Sequence, residues 1–346
     1  MSNTGAMQNE HVLVSFLMPT LNAARTIERA LKSIRDQTLA QDRIEILVID
    51  GGSTDATREI AARYGAVILE NPAVVPESAK FIGLQQAKGD FLVEMDSDEY
   101  LISSSQLALR LQMFQVHPAV KCILTDRLLT PPRSDIACAY LNGVGDPFSY
   151  FVYRLKGSVI KTFQKNRIPA EVDANMQVFQ FGDGDLLPIA DGGASMVDMR
   201  YVRSAFADCF DQVAFASTIC GDVILKTHMA GCIAGDDIIH DSTARLSGYL
   251  RKLKFRVVNN VHDASRSGFS ARADLNKTLK RRRYLYPLYC LLVIWPVYDA
   301  VALSISRKSA TFLLHPLYVY YVMLQICIQY FRRLIKREQK NASYGG

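Results

Sequence analysis

Gly89-Asp90-Phe91-Leu92-Val93-Glu94-Met95-Asp96-Ser97-Asp98-Glu99 is the stretch that decides how this chain is read. An apolar run, residues 91–95, follows a glycine and ends in two carboxylates one residue apart, Asp96 and Asp98. The run predicts a buried strand. Asp-x-Asp at its end offers hard oxygen ligands suited to Mg²⁺ or Mn²⁺, cations that keep open positions for a diphosphate. Alone the pair says little, because a chain of this length contains one about once by chance. Its weight comes from what lies around it.

Upstream, residues 12–18 form a compact apolar run ending at Pro19, and Ile27, Ala30, Leu31 and Ile34 then recur at helical spacing. Residues 44–49 are a second β-branched run, closed by Asp50-Gly51-Gly52. A helix is expected from about Thr54, with Ser53 or Thr54 as N-cap and Gly65 as the stop. A short strand over 66–69 and a helix over 76–87 lead back to Gly89. Strands with little alternation, separated by helices, predict an α/β fold with a mostly parallel sheet covered on both faces. Ligands of such sheets sit beyond the carboxyl ends of the strands. Pro19-Thr20, Asp50-Gly51-Gly52-Ser53 and Asp96-Ser97-Asp98 all fall there. Residues 126–243 are less regular. Turns are expected at 182–184 and 191–193, strands at 194–197 and 233–240, and a helix at 223–229 that stops at Gly231.

The chain has 346 residues, 49% hydrophobic and 21% charged, with a net charge of +6 that crowds the C-terminal third. Basic clusters there, among them Lys280, Lys336 and Arg337, flank apolar stretches, which suits an anionic membrane surface rather than a nucleic acid. Seven cysteines without Cys-x-x-Cys spacing read as reduced cytosolic thiols, not as disulfides or a zinc site. Residues 1–10 are polar and lack an apolar signal core. Residues 284–305 and 309–330 are each long enough to cross a bilayer. Arg281-Arg282-Arg283 precedes them, Arg332-Arg333 follows, and Tyr and Trp sit among them as in an interfacial belt. Pro287, Pro296 and Asp299 leave a placement in the interface open, and a pair of long core helices is the plainer alternative.

The motifs together resemble family 2 glycosyltransferases of the GT-A fold. Val14-Ser15-Phe16-Leu17-Met18-Pro19-Thr20-Leu21-Asn22 is similar to the family's opening strand. Ile46-Leu47-Val48-Ile49-Asp50-Gly51-Gly52-Ser53-Thr54-Asp55 is similar to its second signature, and the stretch from Ala87 to Asp98 to its third. The resemblance is strongest over 11–100 and traceable to about 241. It implies that Pro19, Thr20 and Asn22 line the nucleotide pocket, and that Asp50 accepts a hydrogen bond from a base such as uracil. Gly51 and Gly52 would let backbone approach the nucleotide. Ser53 would either contact the nucleotide or cap a helix. Lys80 would lie near ribose or diphosphate, Asp96 near ribose or the cation's water shell, and Asp98 on the metal. Asp222, read at a helix start, matches the family's general base although Gly221 replaces its usual acidic neighbour; Asp236, Asp237 and Asp241 compete for that role. His240 would complete the metal shell.

The resemblance implies a catalytic domain over 1–243, with a nucleotide half at 11–125 and an acceptor half at 126–243. Basic amphipathic linker helices follow at 244–283, and a membrane-associated tail at 284–346. The expected reaction is inverting transfer of one sugar from a nucleotide-sugar, UDP-sugar favoured, to an acceptor that is lipid-linked or a glycan, at the cytoplasmic face of the membrane. The Gln-x-x-Arg-Trp motif of processive synthases is missing, and the only tryptophan, Trp295, lies in the tail. A sugar-phosphate nucleotidyltransferase and a non-catalytic membrane-bound nucleotide-binding protein stay open as alternatives.

Overall fold

A computed structural model describes residues 11–168, 175–189, 193–242, 245–262 and 281–335. The polar N-terminus, the turn at Asp191-Gly192, and the basic residues Lys280, Lys336 and Arg337 lie outside the described residues, as does part of the expected linker.

Among the described residues twelve strands are interspersed with helices: β1 (Val14–Thr20), β2 (Ile44–Asp50), β3 (Val67–Glu70), β4 (Phe91–Glu94), β5 (Glu99–Leu101), β6 (Cys122–Leu124), β7 (Leu128–Leu129), β8 (Arg167–Ile168), β9 (Met176–Gln180), β10 (Ser195–Asp198), β11 (Met229–Ile233) and β12 (Ile238–His240). Nine of them form one sheet in the order β3-β2-β1-β4-β10-β6-β11-β9-β8. It is parallel from β3 to β4, as expected for the nucleotide half. Beyond β4 it is mixed, because β10 enters antiparallel between β4 and β6. Side chains alternate across β1: Val14, Phe16 and Met18 join one core layer and Leu17 the other. With both faces covered, β1, β2 and β4 are continuous apolar runs in sequence.

A second sheet, β5-β12-β7, decides the geometry of the site. Its register pairs His240 with Glu99 and Ile238 with Leu101. Expected strand 233–240 is therefore two strands in two sheets, separated by the turn that carries Asp236 and Asp237. The three aspartates flanking β12 in sequence are each held by arginine. Arg110, fully buried, bonds Asp236 at 2.8 Å; Arg127 binds Asp237; Arg25 and Arg29 bind Asp241.

The tail does not form a separate body. The helices Tyr286–Leu291, Ile294–Arg307 and His315–Leu334 pack with Ile136–Val144, Pro147–Tyr153 and Leu246–His262 around a third core rich in tyrosine, including Tyr140, Tyr249, Tyr286 and Tyr318. One helical stretch, Ala310–Arg333, is long and apolar enough to cross a membrane, and 33% of its apolar window is buried against the protein. The preceding pair, Arg281–Leu291 and Ile294–Arg307, is bent by 98°.

Candidate active site

β1, β4 and β12 end at one cavity of about 1820 Å³. Pro19, Thr20, Asn22, Lys80, Asp96, Asp98 and His240, seven of the eleven residues expected in the site, line it. Asp50, Gly52, Ser53 and Asp222 are not on its wall.

The loops after β1 and β2 are stapled together. The Asn22 backbone N–H donates to Ser53 Oγ at 2.8 Å, and Thr54 N–H donates to Asn22 Oδ1 at 2.9 Å. Asn22 itself is in the left-handed region, φ 48°. Asp50 is fully buried and accepts from Ser53 N–H at 3.0 Å, from Ser53 Oγ and from Arg58 at 3.1 Å. Those bonds hold that carboxylate in its own loop, off the cavity wall. Ser53 links Asp50 to Asn22 and caps nothing; the helix starts later, at Thr57, with Ala56 as N-cap. Gly52 is glycine because of its φ of +93°, a conformation that L side chains rarely adopt. A Cβ there would meet nothing within 4 Å, so crowding is not the reason.

Lys80, on the helix Pro76–Gln86, donates to Glu94 Oε2 at 3.1 Å at the end of β4. The pair is nearly buried, with side-chain exposures of 12% and 4%, so the ammonium is fixed at the cavity floor beside Asp96.

Asp98 and His240 meet because β5 and β12 pair. Asp241 N–H donates to the Asp98 carbonyl at 2.7 Å, and His240 Nε2 lies 3.5 Å from Asp98 Oδ2. Burial pushes the Asp98 carboxyl up, but the charge and hydrogen bond of His240, with the charge of Lys252, outweigh it and hold it at about 2. Burial would lower His240, yet the carboxylates, Asp98 foremost, raise it above its ordinary value. Burial, then the Asp96 charge, pushes Glu99 up to about 8.

Two side chains that the family resemblance did not assign stand at the site. Asn142, in the helix Ile136–Val144, clamps His240 with both ends of its amide. Its Nδ2 donates to the His240 carbonyl at 2.9 Å, and its Oδ1 lies 2.6 Å from His240 Nδ1. With the Nδ1 proton donated to Asn142, Nε2 is the nitrogen facing Asp98: protonated, it donates to that carboxylate, and neutral, it would offer a cation its lone pair. Lys252, on the helix Leu246–His262, donates to Ser242 at 3.1 Å and presents its charge to Asp96 and Asp98. A single amide inside an apolar helix was the available signal for the first. The second showed only as one of several basic residues on an amphipathic helix.

Asp222 is the main correction. It is not at a helix start but ten positions into Val213–Thr227, where Thr218 Oγ1 donates to its Oδ2 at 2.7 Å. Its charge bears on Cys209, away from the cavity wall. Asp236, Asp237 and Asp241, the competing candidates, are taken by the arginines already described and do not line the cavity either.

Among the described residues no three His, Cys, Asp or Glu side chains converge as a closed metal cage. The donor set nonetheless fits an open site: one carboxylate and one imidazole nitrogen, adjacent, with the imidazole oriented from behind by Asn142. Substrate oxygens and water complete such a shell for Mg²⁺ or Mn²⁺.

The sequence model described as Glycosyl transferase family 2 matches residues 15–125. The chain is 31% identical over 91 residues to glycosyltransferase AglE of Haloferax volcanii, covering 25% of this chain and 30% of the relative. It is 31% identical over 99 residues to the GalNAc(5)-diNAcBac-PP-undecaprenol beta-1,3-glucosyltransferase of Campylobacter jejuni, covering 27% and 31%. The matched stretch thus spans less than a third of either relative's own length. A solved mannosyltransferase, PcManGT from Pyrobaculum calidifontis in complex with GDP-Man and Mn²⁺, superposes with a TM-score of 0.49 at 16% identity, over 91% of this chain and 86% of that one. Residues 15–125, with their parallel β3-β2-β1-β4 core, are thus similar to the glycosyl transferase family 2 domain.

Proposed function

We propose that the chain is a metal-dependent inverting glycosyltransferase. It moves one sugar from a nucleotide-sugar, UDP-sugar favoured, to an acceptor hydroxyl on a lipid-linked carrier, at the cytosolic face of a membrane, in the synthesis of cell-surface glycans. The observation that carries this reading is the convergence of Thr20, Asn22, Lys80, Asp98 and His240 on one cavity at the carboxyl ends of β1, β4 and β12. The family and the lipid-linked substrate in the name of the Campylobacter relative support it.

Thr20 and Asn22 would seat the nucleoside at the end of β1. Asp98 and His240 would hold Mg²⁺ or Mn²⁺, which when bound neutralises charge building on the departing diphosphate. Lys80, fixed by Glu94, adds a second positive charge on the same side. The acceptor oxygen forms its bond to the anomeric carbon from the face opposite the diphosphate. The bond from that carbon to the diphosphate oxygen breaks, and the nucleoside diphosphate leaves with the electron pair. An α-linked donor gives a β-linked product. The acceptor hydroxyl's proton passes to solvent; it is not assigned to Asp222, which stands off the cavity wall.

The test is donor turnover, hydrolysis included, across a panel of UDP-, GDP- and dTDP-sugars with and without Mn²⁺. Turnover that requires the ion and disappears in Asp98→Ala supports the reading. Turnover untouched by chelation and by Asp98→Ala would reject it.

A further inference from the structure

Both faces of the helix Ile136–Val144 are committed. Cys138 and Asn142, four positions apart, share one of them. Each donates to the His240 carbonyl, Cys138 Sγ at 3.6 Å and Asn142 Nδ2 at 2.9 Å, and Asn142 Oδ1 lies 2.6 Å from His240 Nδ1. The other face carries Ala137, Tyr140, Leu141 and Val144 into the tyrosine-rich core shared with the tail. One helix of 9 residues thus touches His240 on one side and the tail on the other.

The tail side is tight. The Tyr140 ring lies 4.6 Å from that of Tyr318, and its hydroxyl bonds His315 Nδ1 at 2.5 Å. His315 Nε2 lies 3.0 Å from Tyr289 Oη. Three residues before His315, the buried Phe312 ring stands 5.9 Å from that of Tyr140 and sits over Gly143, the residue that follows Asn142. A Cβ on Gly143 would fall 2.5 Å from Phe312 Cζ and 2.7 Å from Cε1. Gly143 is inside the helix and has no positive φ, so room for the ring, not a backbone angle, is what asks for glycine. Carbon atoms settle at about 3.5–4 Å, so an added methyl group needs about 1 Å of movement. Neighbouring rings hold Phe312, which leaves the helix to move. A shift of about 1 Å at Asn142 would open its 2.6 Å contact with Nδ1 beyond the reach of a hydrogen bond.

We propose that Gly143 and Phe312 are positioning residues for His240: the tail sets the helix Ile136–Val144, and that helix sets the imidazole toward Asp98. The inference rests on the reading of His240 as a metal ligand and extends it to the element that fixes the ligand in place. The tail is then part of the scaffold of the site.

The test uses the full chain in amphipol, with ¹⁵N-labelled histidine and no metal. The His240 Nδ1–H signal is identified by its absence from His240→Gln, and its exchange with water is timed. Gly143→Ala should speed that exchange roughly tenfold or more, although alanine is the better helix former. Gly143→Ala/Phe312→Leu takes from the ring the volume that the methyl group needs, and should return exchange to within about threefold of the parent. Mn²⁺ affinity with UDP present, read by paramagnetic resonance, should fall ~10–100-fold in the first variant and recover in the second. Circular dichroism melts show that each variant is folded. Should Gly143→Ala not fold, Tyr140→Phe takes its place: it keeps the ring, removes only the bond to His315, and should raise exchange about threefold. Parental exchange in folded Gly143→Ala, or in Tyr140→Phe where that stands in, overturns the proposal, and so does a double variant that does not recover. A parent that shows this exchange pattern and binds no Mn²⁺ would sink the metal reading and leave the positioning role standing, so the two failures are distinct.

Discussion

Replacing Asn142 with leucine tests whether the amide clamp makes His240 a metal ligand. The side chains are close in volume, and leucine is the better helix former within Ile136–Val144, so the helix itself should survive. Two contacts with His240 vanish, at 2.6 Å and 2.9 Å. Each is worth about 1 kcal/mol, and the orphaned carbonyl and Nδ1 add desolvation cost, for a total loss of about 2–4 kcal/mol in stability. The effect on the metal is separate. Losing the group that orients a ligating imidazole weakens metal binding ~10–100-fold, about 1.4–2.8 kcal/mol at 1.4 kcal/mol per tenfold. Free Mn²⁺, counted by its paramagnetic resonance signal during a titration with nucleoside diphosphate present, reads the affinity. Circular dichroism reads the fold. Asn142→Asp keeps an acceptor for Nδ1–H and should bind Mn²⁺ at least as well as the parent, which guards against a leucine variant that does not fold. A folded Asn142→Leu protein with parental Mn²⁺ affinity would refute the clamp, and with it the assignment of His240.

Asp222→Ala should keep donor turnover within about fivefold of the parent, since its carboxylate faces Thr218 and Cys209 and not the cavity; a loss of a hundredfold or more would return it to the catalytic centre. Arg110→Met leaves Asp236 buried without its cation and should cost about 3–5 kcal/mol in denaturant unfolding, much of it recovered by adding Asp236→Leu. Acid stability carries a signature at Asp198. Burial pushes its carboxyl up, but hydrogen bonds from Arg200 and Lys121 outweigh that and hold it below its ordinary value of 3.8. A folded value below the unfolded one stabilises fully above the unfolded pKa and is lost as pH falls through the folded one. Urea midpoints of Asp198→Asn should therefore fall less steeply than the parent's between pH 4 and pH 2 (roughly the window set by an unperturbed carboxylate); identical slopes would count against the pairing.

Parts of this molecule that are buried on both faces were legible as sequence. β1, β2 and β4 read as continuous apolar runs, and their ends named Thr20, Asp96 and Asp98 because chemistry sits where such runs stop. The second sheet was not legible. β5 and β12 have three residues each and β7 has two, too few for any periodicity, so the pairing that brings His240 to Asp98 could only come from the fold. The helix around Asp222 misled for a different reason. Its first half, Val-Ala-Phe-Ala-Ser-Thr-Ile-Cys-Gly, mixes small and polar residues and hides a helical stripe. Only the apolar residues from Val223 onward stood out, which moved the apparent start ten residues late and put Asp222 at a helix N-terminus that does not exist.

The tail's packing bears on how a membrane would meet the protein. In the helix Ile294–Arg307, Asp299 accepts from Arg154 at 2.6 Å and from Tyr289 at 2.7 Å, so that face is bonded to the catalytic body. His315, fully buried, bonds both Tyr140 at 2.5 Å and Tyr289 at 3.0 Å, which ties the start of the next helix to the same body. The opposite face carries Ile294, Val297, Tyr298, Val301 and Ile305, all exposed and spaced as one helical stripe. A helix that spans a bilayer has lipid or other spanning helices on every side. This one packs on the protein on one side and bears exposed apolar side chains on the other, which favours a helix lying in the interface plane over one that spans. Arg307 and Lys308 at its end suit anionic headgroups at the same level. In the membrane placement proposed above, that exposed stripe would face the bilayer, with Leu291 and Ile294 at the apex of the 98° bend.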